Sequence, residues 1–388
     1  MISVAAAKKI IHDNMFTRPV VNMPLNDAAH LQLAADLYSP VDSPAYPQSS
    51  MDGYAFAYAD WRWKNILSIT GEMQAGAKVS FSLLPGQAAR IFTGAPLPTG
   101  ADTVVMQEKV SAVNNELTIL DENLQAGGNV RLTGSAIKTG ELALEKNSFL
   151  SPGAIGFLAG MGISHVPVFA PPIVSIIVTG KELQQPGNAL QFGEVYESNS
   201  YALQAALNQL QVKNVRVYSA DDELGLVKQV LDDALAGSDM VLLTGGVSVG
   251  DYDFVVQAAE ACGVIQLFHK IKQRPGKPLY FGRKENKLVF GLPGNPSSVL
   301  SCFYEYVTPA LKAGLPALRV PLAKSCIKPA GLTHFLKAWY DGESVMPLDA
   351  QESYRMSSFA KANCLIQLDE ETTICKAGDL TTIHLLPF

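Results

Sequence analysis

Behind the pair Pro171-Pro172 stands the run Ile173-Val174-Ser175-Ile176-Ile177-Val178, almost wholly apolar. A half-exposed strand alternates apolar and polar residues; a run of this kind belongs to a strand buried on both faces. Helical and strand patterns then take turns: helical over 198–210, strand over 215–218, helical over 223–235, strand over 240–243, helical over 252–260. Strands follow around 264–268, 279–281 and 288–290, and a helix closes the series over 296–311. This rhythm predicts a mostly parallel sheet covered by helices, with ligands gathered at the carboxyl ends of its strands.

The flanks have a different texture. Residues 1–20 read as a short amphipathic helix with Val4, Ala7, Ile10 and Ile11 on one face, and 26–38 read as a second helix. From 39 to 140, short apolar runs (66–69, 88–92, 103–106, 117–120) broken by Gly, Pro and Asn point to a small β-rich domain. Ser151 and Pro152 open a helix that Gly162 stops. Beyond about 318 the pattern is β again. The fold class is therefore α/β and multidomain, as 388 residues allow.

Composition removes several function classes. Hydrophobic residues make up 48% and charged residues 17%, so disorder is not the chain's main character. The net charge of −6 argues against a general nucleic-acid binder, which carries a basic face. No apolar stretch approaches the ~20 residues of a membrane span, and residues 1–14, with Lys8 and Lys9 in their middle, do not read as a signal peptide. Five scattered cysteines without a C-x-x-C pair argue against a disulfide framework or a zinc site. The expected compartment is the cytoplasm, with no membrane or nucleic-acid partner.

Chemistry is expected in the loops at the strand ends. The string Thr244-Gly245-Gly246-Val247-Ser248-Val249-Gly250-Asp251-Tyr252-Asp253 follows a buried strand and opens a helix. Its glycines let backbone N–H groups approach an anion closely, and the helix N-terminus adds partial positive charge. Carboxylates in such a cradle repel an anion unless a hard cation bridges them. Glu182, in Thr179-Gly180-Lys181-Glu182-Leu183, and Asp221, in Asp221-Asp222-Glu223, leave neighbouring strands on the same edge. Alone, Asp221 is simply a helix cap and Glu182 a solvated loop residue; the shared edge raises them together.

The basic counterpart runs from 270 to 287, with Lys270, Lys272, Arg274, Lys277, Arg283, Lys284 and Lys287 against one acid, Glu285. Arg283, Lys284 and Lys287 fit a hairpin tip. Arg274-Pro275-Gly276-Lys277-Pro278 reads as a rigid turn presenting a fork donor and a point charge, which suits an oxyanion. Gly291-Leu292-Pro293-Gly294-Asn295-Pro296 then enters a helix. His269, beside Lys270, reads as structural, and the cysteines as small hydrophobes.

Five strings, Met51-Asp52-Gly53-Tyr54-Ala55, Phe92-Thr93-Gly94-Ala95-Pro96, 244–253, 274–278 and 291–296, resemble in order the MoeA-type molybdopterin molybdenumtransferases, the family of gephyrin's C-terminal part and its plant homologue. The resemblance implies an enzyme that inserts molybdate into adenylylated molybdopterin with Mg²⁺ and releases AMP. It implies a helical linking and dimerisation domain (1–19 with 140–170), a small β-rich domain (20–139), a three-layer α/β pterin-binding domain (171–317) and a small C-terminal β-barrel domain (318–388). The implied assembly is a homodimer, with the cleft between the sheet domain of one subunit and the β-rich domain of its partner. The implied protein partners are a molybdopterin adenylyltransferase and molybdoenzymes.

Carried over by motif, the catalytic positions fall on Asp52, Thr93, Glu182, Asp221 and Asp253, with Glu182, Asp221 and Asp253 as Mg²⁺ ligands. Substrate contacts fall on Thr244, Gly245, Gly246, Ser248, Gly250, Lys270, Arg274, Lys277, Pro293, Asn295 and Ser357. From the residues alone, Asp52 is a turn-forming side chain. Three departures stand out: Lys181 where the family has Asp, Arg274 where it often has Lys, and Lys337 where an Arg is frequent. The last puts a fork-type contact to molybdate in question. Two other functions share the pterin-binding layout: a molybdopterin adenylyltransferase, which the flanking β domains disfavour, and a non-catalytic pterin-binding scaffold, which would not need Asp221 and Asp253.

Overall fold

The apolar run after Pro171-Pro172 forms strand Val174–Thr179 (β1), buried at every position. In the computed structural model, residues 1–247, 254–311 and 314–387 are described. The same sheet contains Val215–Ala220 (β2), Met240–Thr244 (β3), Ile265–Lys270 (β4), Pro278–Lys284 (β5) and Lys287–Leu292 (β6). Their order is β2-β1-β3-β6-β5-β4. The first four are parallel, while β6, β5 and β4 pair antiparallel. The antiparallel margin has a local cause. Lys284 pairs with Lys287, so only Glu285 and Asn286 make the turn, and a parallel crossover needs far more chain. Arg283, Lys284 and Lys287 occupy this hairpin tip, and Lys287 Nζ donates to the carbonyls of Leu235 and Ser238.

Alternate residues of the central strands feed two cores. Val174, Ile176, Val178, Met240 and Leu242 pack with Leu203 and Leu207 of helix Asn199–Gln209 and with Val299 of helix Pro296–Cys302. Ile177, Val241 and Leu243 pack with Val227 and Leu231 of helix Leu224–Gly237 and with Val255 of helix Phe254–Ala261. Val4, Ala7 and Ile11 of helix Val4–Asp13 belong to the first core. Residues 1–19, grouped by the family resemblance with 140–170, thus form one compact unit with Ala170–Phe388, and Val20–Phe169 form another.

The expected helix over 296–311 is interrupted. Pro296–Cys302 is α-helical, Phe303–Val307 is a π-helical turn, and Thr308–Ala310 returns to α. The π turn carries the buried Glu305, whose Oε2 accepts from Lys8 Nζ at 2.6 Å and whose Oε1 lies 2.6 Å from His384 Nδ1. The C-terminal β region is a mixed six-stranded sheet. Its strand Thr333–Tyr340 pairs in parallel with the short strand Gln273–Arg274, so the basic turn is stitched to this second sheet.

Within the unit Val20–Phe169, a six-stranded sheet contains Gly53–Phe56, Ile66–Met73, Gln87–Ile91, Thr103–Met106, Val110–Val113 and Glu116–Ile119, in line with the β-rich texture of 39–140. Helix Pro152–Gly160 begins as expected, with Ser151 accepting from the Ala154 N–H. The expected helix over 26–38 is absent. A short 3-10 turn, Leu25–Asp27, and the two-residue strand Leu37–Tyr38 form there. The backbone instead pairs with neighbours: His30 N–H donates to Leu150 O, Leu33 N–H to Ser148 O and Ala34 N–H to Pro167 O. His30 adopts a left-handed φ of 65° that no helix tolerates. Burial of Leu33 in non-helical chain outweighs the helical spacing of the stretch.

Candidate functional site

The parallel strands end in register: Thr179 beside Ala220, Val178 beside Thr244, and Thr244 beside Leu292. The loops at 180–182, 221–223, 245–247 and 293–295 therefore leave side by side, as the sequence rhythm requires. Gly245 has φ +88°, and a Cβ there would stand 2.8 Å from Thr179 Oγ1. A Cβ on Gly294 would lie 3.8 Å from the Gly245 Cα. Bare backbone from two loops thus meets at the sheet edge, leaving its N–H groups approachable.

Two adjoining cavities open on this edge. The larger, about 1050 Å³, is lined by Glu182, Asn199, Thr244, Gly245, Arg274, Lys277, Pro293 and Asn295. The smaller, about 420 Å³, is lined by Lys181 and Asp221 among others. Leu183 and Glu197 line both. Thr244 Oγ1 and Asn199 Oδ1 are buried with no hydrogen-bond partner, although Asn199 Nδ2 is held by Gly294 O at 2.9 Å. Buried polar atoms left unpaired are costly unless a ligand or water satisfies them. Both orphans line the larger cavity.

The basic turn has a rigid base. The buried Gln273 donates from Nε2 to Pro275 O at 3.1 Å and Gly276 O at 3.0 Å, and it accepts from the Tyr306 hydroxyl. Gly276 has φ +80°, and a Cβ there would collide with Cys302 Sγ. Arg274 and Lys277 are exposed at the cavity wall and start from this fixed frame. Gly276→Ala is expected to destabilise the protein by about 1–3 kcal/mol through backbone strain and overpacking. Chemical denaturation measures this, and an unchanged midpoint contradicts the tight contact.

On the acidic side, burial pushes the Asp222 carboxyl above the ordinary range, and the charges of Glu182 and Asp221 push it further. A Thr179 hydrogen bond and the Lys181 charge work against this. Glu182, Asp221, Asp222 and Lys181 therefore share one electrostatic neighbourhood. Asp222 adjoins the expected Asp221 in sequence, and only its burial beside Glu182 and Asp221 distinguishes it. Among the described residues, no group of three or more His, Cys, Asp or Glu is arranged to hold a metal ion. Asp253, Ser248 and Gly250, which complete the expected ligand and cradle sets, lie outside the described residues.

Two expected contacts sit elsewhere. Lys270 ends β4, with its carbonyl accepting from the Ile2 N–H at 3.1 Å, and Ser357 is exposed; neither lines the cavities. From the loop just before Ser357, it is Gln351, Glu352, Ser353 and Tyr354 that reach the larger cavity. Ser353 Oγ accepts from Asn295 Nδ2 at 2.8 Å and its carbonyl from the Ser297 N–H at 3.0 Å. Lys337 is buried, and its ammonium donates to the carbonyls of Ala350, Glu352 and Arg355 at 2.9, 3.3 and 3.1 Å. Burial lowers its pKa to about 8. All three donors hold the loop that carries Ser353, so Lys337 shapes the cavity wall rather than reaching into it.

In the other unit, the Thr93 N–H and hydroxyl both donate to Asp52 Oδ1 at 2.8 Å. These bonds hold the Asp52 carboxyl below the usual range. The two expected positions are thus one coupled motif, and the Asp52 carboxylate serves a contact 41 residues away along the chain rather than a local turn. His269 bonds Val247 O at 2.9 Å, a structural contact. Burial raises the thiols of Cys262 to about 11 and Cys364 to about 12, which disfavours thiolate chemistry.

Family models match consecutive parts of the chain: the MoeA N-terminal region (domain I and II) at 2–162, a probable molybdopterin binding domain at 175–313, and the MoeA C-terminal region (domain IV) at 319–386. A molybdopterin molybdenumtransferase of Haemophilus influenzae is 32% identical over 98% of both chains. The chain belongs to the MoeA family. Another molybdopterin molybdenumtransferase, from Nostoc, is 38% identical over 72% of this chain and 66% of its own. The crystal structure of a molybdopterin biosynthesis MoeA protein from Pyrococcus horikosii superposes with a TM-score of 0.85 at 28% identity, covering 100% of this chain and 99% of that one. The multidomain α/β fold expected from the sequence is the fold of these relatives. Among the described residues, no helix is long and apolar enough to cross a membrane.

Proposed function

We propose that this chain is a molybdopterin molybdenumtransferase that inserts molybdate into adenylylated molybdopterin and releases AMP. One observation carries the reading: a large cavity joins bare glycine backbone, the orphaned Thr244 and Asn199 oxygens and the cations Arg274 and Lys277, while an acidic cluster lines its margin. Both substrates are polyanions, and bringing them together in a water-poor cleft without opposing charge is strongly unfavourable. Arg274 offers a fork of donors to an oxyanion and Lys277 a mobile point charge. The Gly245 and Gly294 loops offer backbone N–H groups, and Ser353, fixed by Asn295, closes the wall.

Glu182 and Asp221, with Asp253, are the hard oxygen donors that would hold Mg²⁺. The raised pKa of Asp222 reflects the crowding of this margin, which a divalent cation would relieve. When bound, Mg²⁺ would neutralise phosphate charge and polarise the phosphoryl group. The active form in this reading is a homodimer in which the Asp52–Thr93 motif of one subunit serves the cavity of its partner.

The test mixes the full-length protein with adenylylated molybdopterin, Mg²⁺ and molybdate, and measures AMP and active cofactor. Molybdate-dependent AMP release is the expected result. AMP release that ignores molybdate overturns the reading. Product formed from unmodified molybdopterin and ATP assigns the chain to adenylyl transfer, and tight pterin binding without turnover assigns it to scaffolding.

A further inference from the structure

A third cavity, about 350 Å³, lies on the other side of the basic turn. Arg274, Pro275 and Gln351 line both it and the large cavity, so the dividing wall there is a single turn and one side chain thick. Its lining is unusual for a chain of net charge −6: Arg274, Lys324, Lys328 and His334 against the single acid Asp349. Arg274 and His334 are register partners on adjacent parallel strands, which fixes their spacing.

The four basic groups are differently committed. Lys328 is buried, and its ammonium donates to Pro329 O, Leu332 O and Glu370 O at 3.4, 2.8 and 3.1 Å, so it supplies charge and no further donor. Among the described residues, neither Arg274 nor Lys324 has a carboxylate within salt-bridge distance. His334 is 6% exposed, and its Nε2 is buried with no hydrogen-bond partner. Burial and the charges of Lys328 and Arg274 hold the pKa of His334 down to about 4. At neutral pH its ring is therefore uncharged, and the tautomer protonated on Nε2 presents one N–H donor.

A buried, unpartnered ring nitrogen that one tautomer makes a donor, set beside two uncommitted cations, suits an acceptor with negative charge. We propose that this cavity is a second site for a small tetrahedral oxyanion, bound by His334 Nε2–H, Lys324 and Arg274 with Lys328 as background charge. Arg274 has five N–H donors and faces both cavities, so it links the second site to the first. That molybdate is the native occupant rests on the function proposed above; the anion site itself does not.

The experiment is equilibrium dialysis of the full-length protein against molybdate, repeated with sulfate and phosphate as competitors. Two classes of bound molybdate per chain are expected. His334→Phe with Lys324→Ala is expected to remove one class and Lys277→Ala to weaken the other. Lys324 is exposed, so Lys324→Glu guards against a misfolded double variant; it is expected to weaken one class roughly tenfold or more, as losing a charge-assisted contact and adding repulsion requires. Displacement by sulfate or phosphate assigns the site to oxyanions generally, and resistance to both assigns it to molybdate; either upholds the pocket. One class only, or two classes untouched by both the double variant and Lys324→Glu, overturns it. Two classes without molybdate-dependent AMP release would retain the pocket while removing the insertion reading.

Discussion

Asp221→Asn is expected to lower molybdate-dependent AMP release by on the order of 10²–10³-fold, the loss typical of removing one electrostatic group from a preorganised site. The same substitution is expected to leave the thermal midpoint unchanged or slightly higher. The reason is the crowding that Asp222 reports: its carboxyl is held above the ordinary range by burial and by the charges of Glu182 and Asp221. A carboxyl whose pKa is raised by folding binds more protons in the fold than in the unfolded chain, in the window between the two values. Stability from Asp222 therefore falls as pH rises through that window, and neutralising a neighbour relieves part of the loss. Function and stability pull in opposite directions at this cluster, as at many sites built from like charges. Mg²⁺ should raise the midpoint of the native protein and raise that of Asp221→Asn much less. Full turnover in Asp221→Asn, together with an unaltered Mg²⁺ shift, would remove the acids from the reaction.

Much of this site was readable because the residues that build it are bound to local backbone rules. The run at 173–178 reads as a strand covered on both faces, and the helix-linked strands at 215–220 and 240–244 return beside it in parallel, as the rhythm requires. The common edge of Glu182, Asp221 and Gly245 followed from that alone. Glycines at 245 and 276 marked places where a Cβ has no room, and both positions have left-handed φ. What depends on side chains distant in sequence was not readable. Asp222 differs from Asp221 only in what its carboxyl faces after folding. Lys337 read as a weakened ligand, yet its ammonium is consumed by three carbonyls of one loop. Ser353 and Ser357 lie four residues apart, and what sets Ser353 at the cavity is its contacts with the Asn295 amide and the Ser297 N–H. The stretch 26–38 failed for a related reason: its helical spacing was real, but its N–H groups found acceptors at 148, 150 and 167. Glu305 was invisible altogether, an acid within an apolar helix pattern whose partners lie near the two ends of the chain.

Those partners make Glu305 the place where one substitution should do most damage to stability. Its carboxylate is 1% exposed and bridges Lys8 of the first helix and His384 of the last strand. Burial alone pushes this carboxyl up, but the His384 hydrogen bond and the Lys8 charge prevail and hold it below the ordinary value. With a depressed folded pKa, its contribution is present above the unfolded carboxylate pKa and lost as pH falls through the folded one. Lys8→Met removes an ammonium that lies 6.0 and 5.6 Å from the Tyr306 and Phe335 ring centroids and that is one of the two partners of a carboxylate water cannot reach. Breaking such a pair from one side costs about 3–5 kcal/mol, because the buried carboxylate loses its ammonium counter-charge. Most of that loss is the burial penalty of the orphan, so Lys8→Met/Glu305→Gln is expected to be more stable than Lys8→Met alone. The Glu305→Gln change should also flatten the acid side of the stability–pH curve. Urea denaturation at pH 7 and pH 5 separates the cases. If Lys8→Met matched the native protein, or the double variant were weaker than the single one, the carboxylate would have to be solvated in a way its burial forbids.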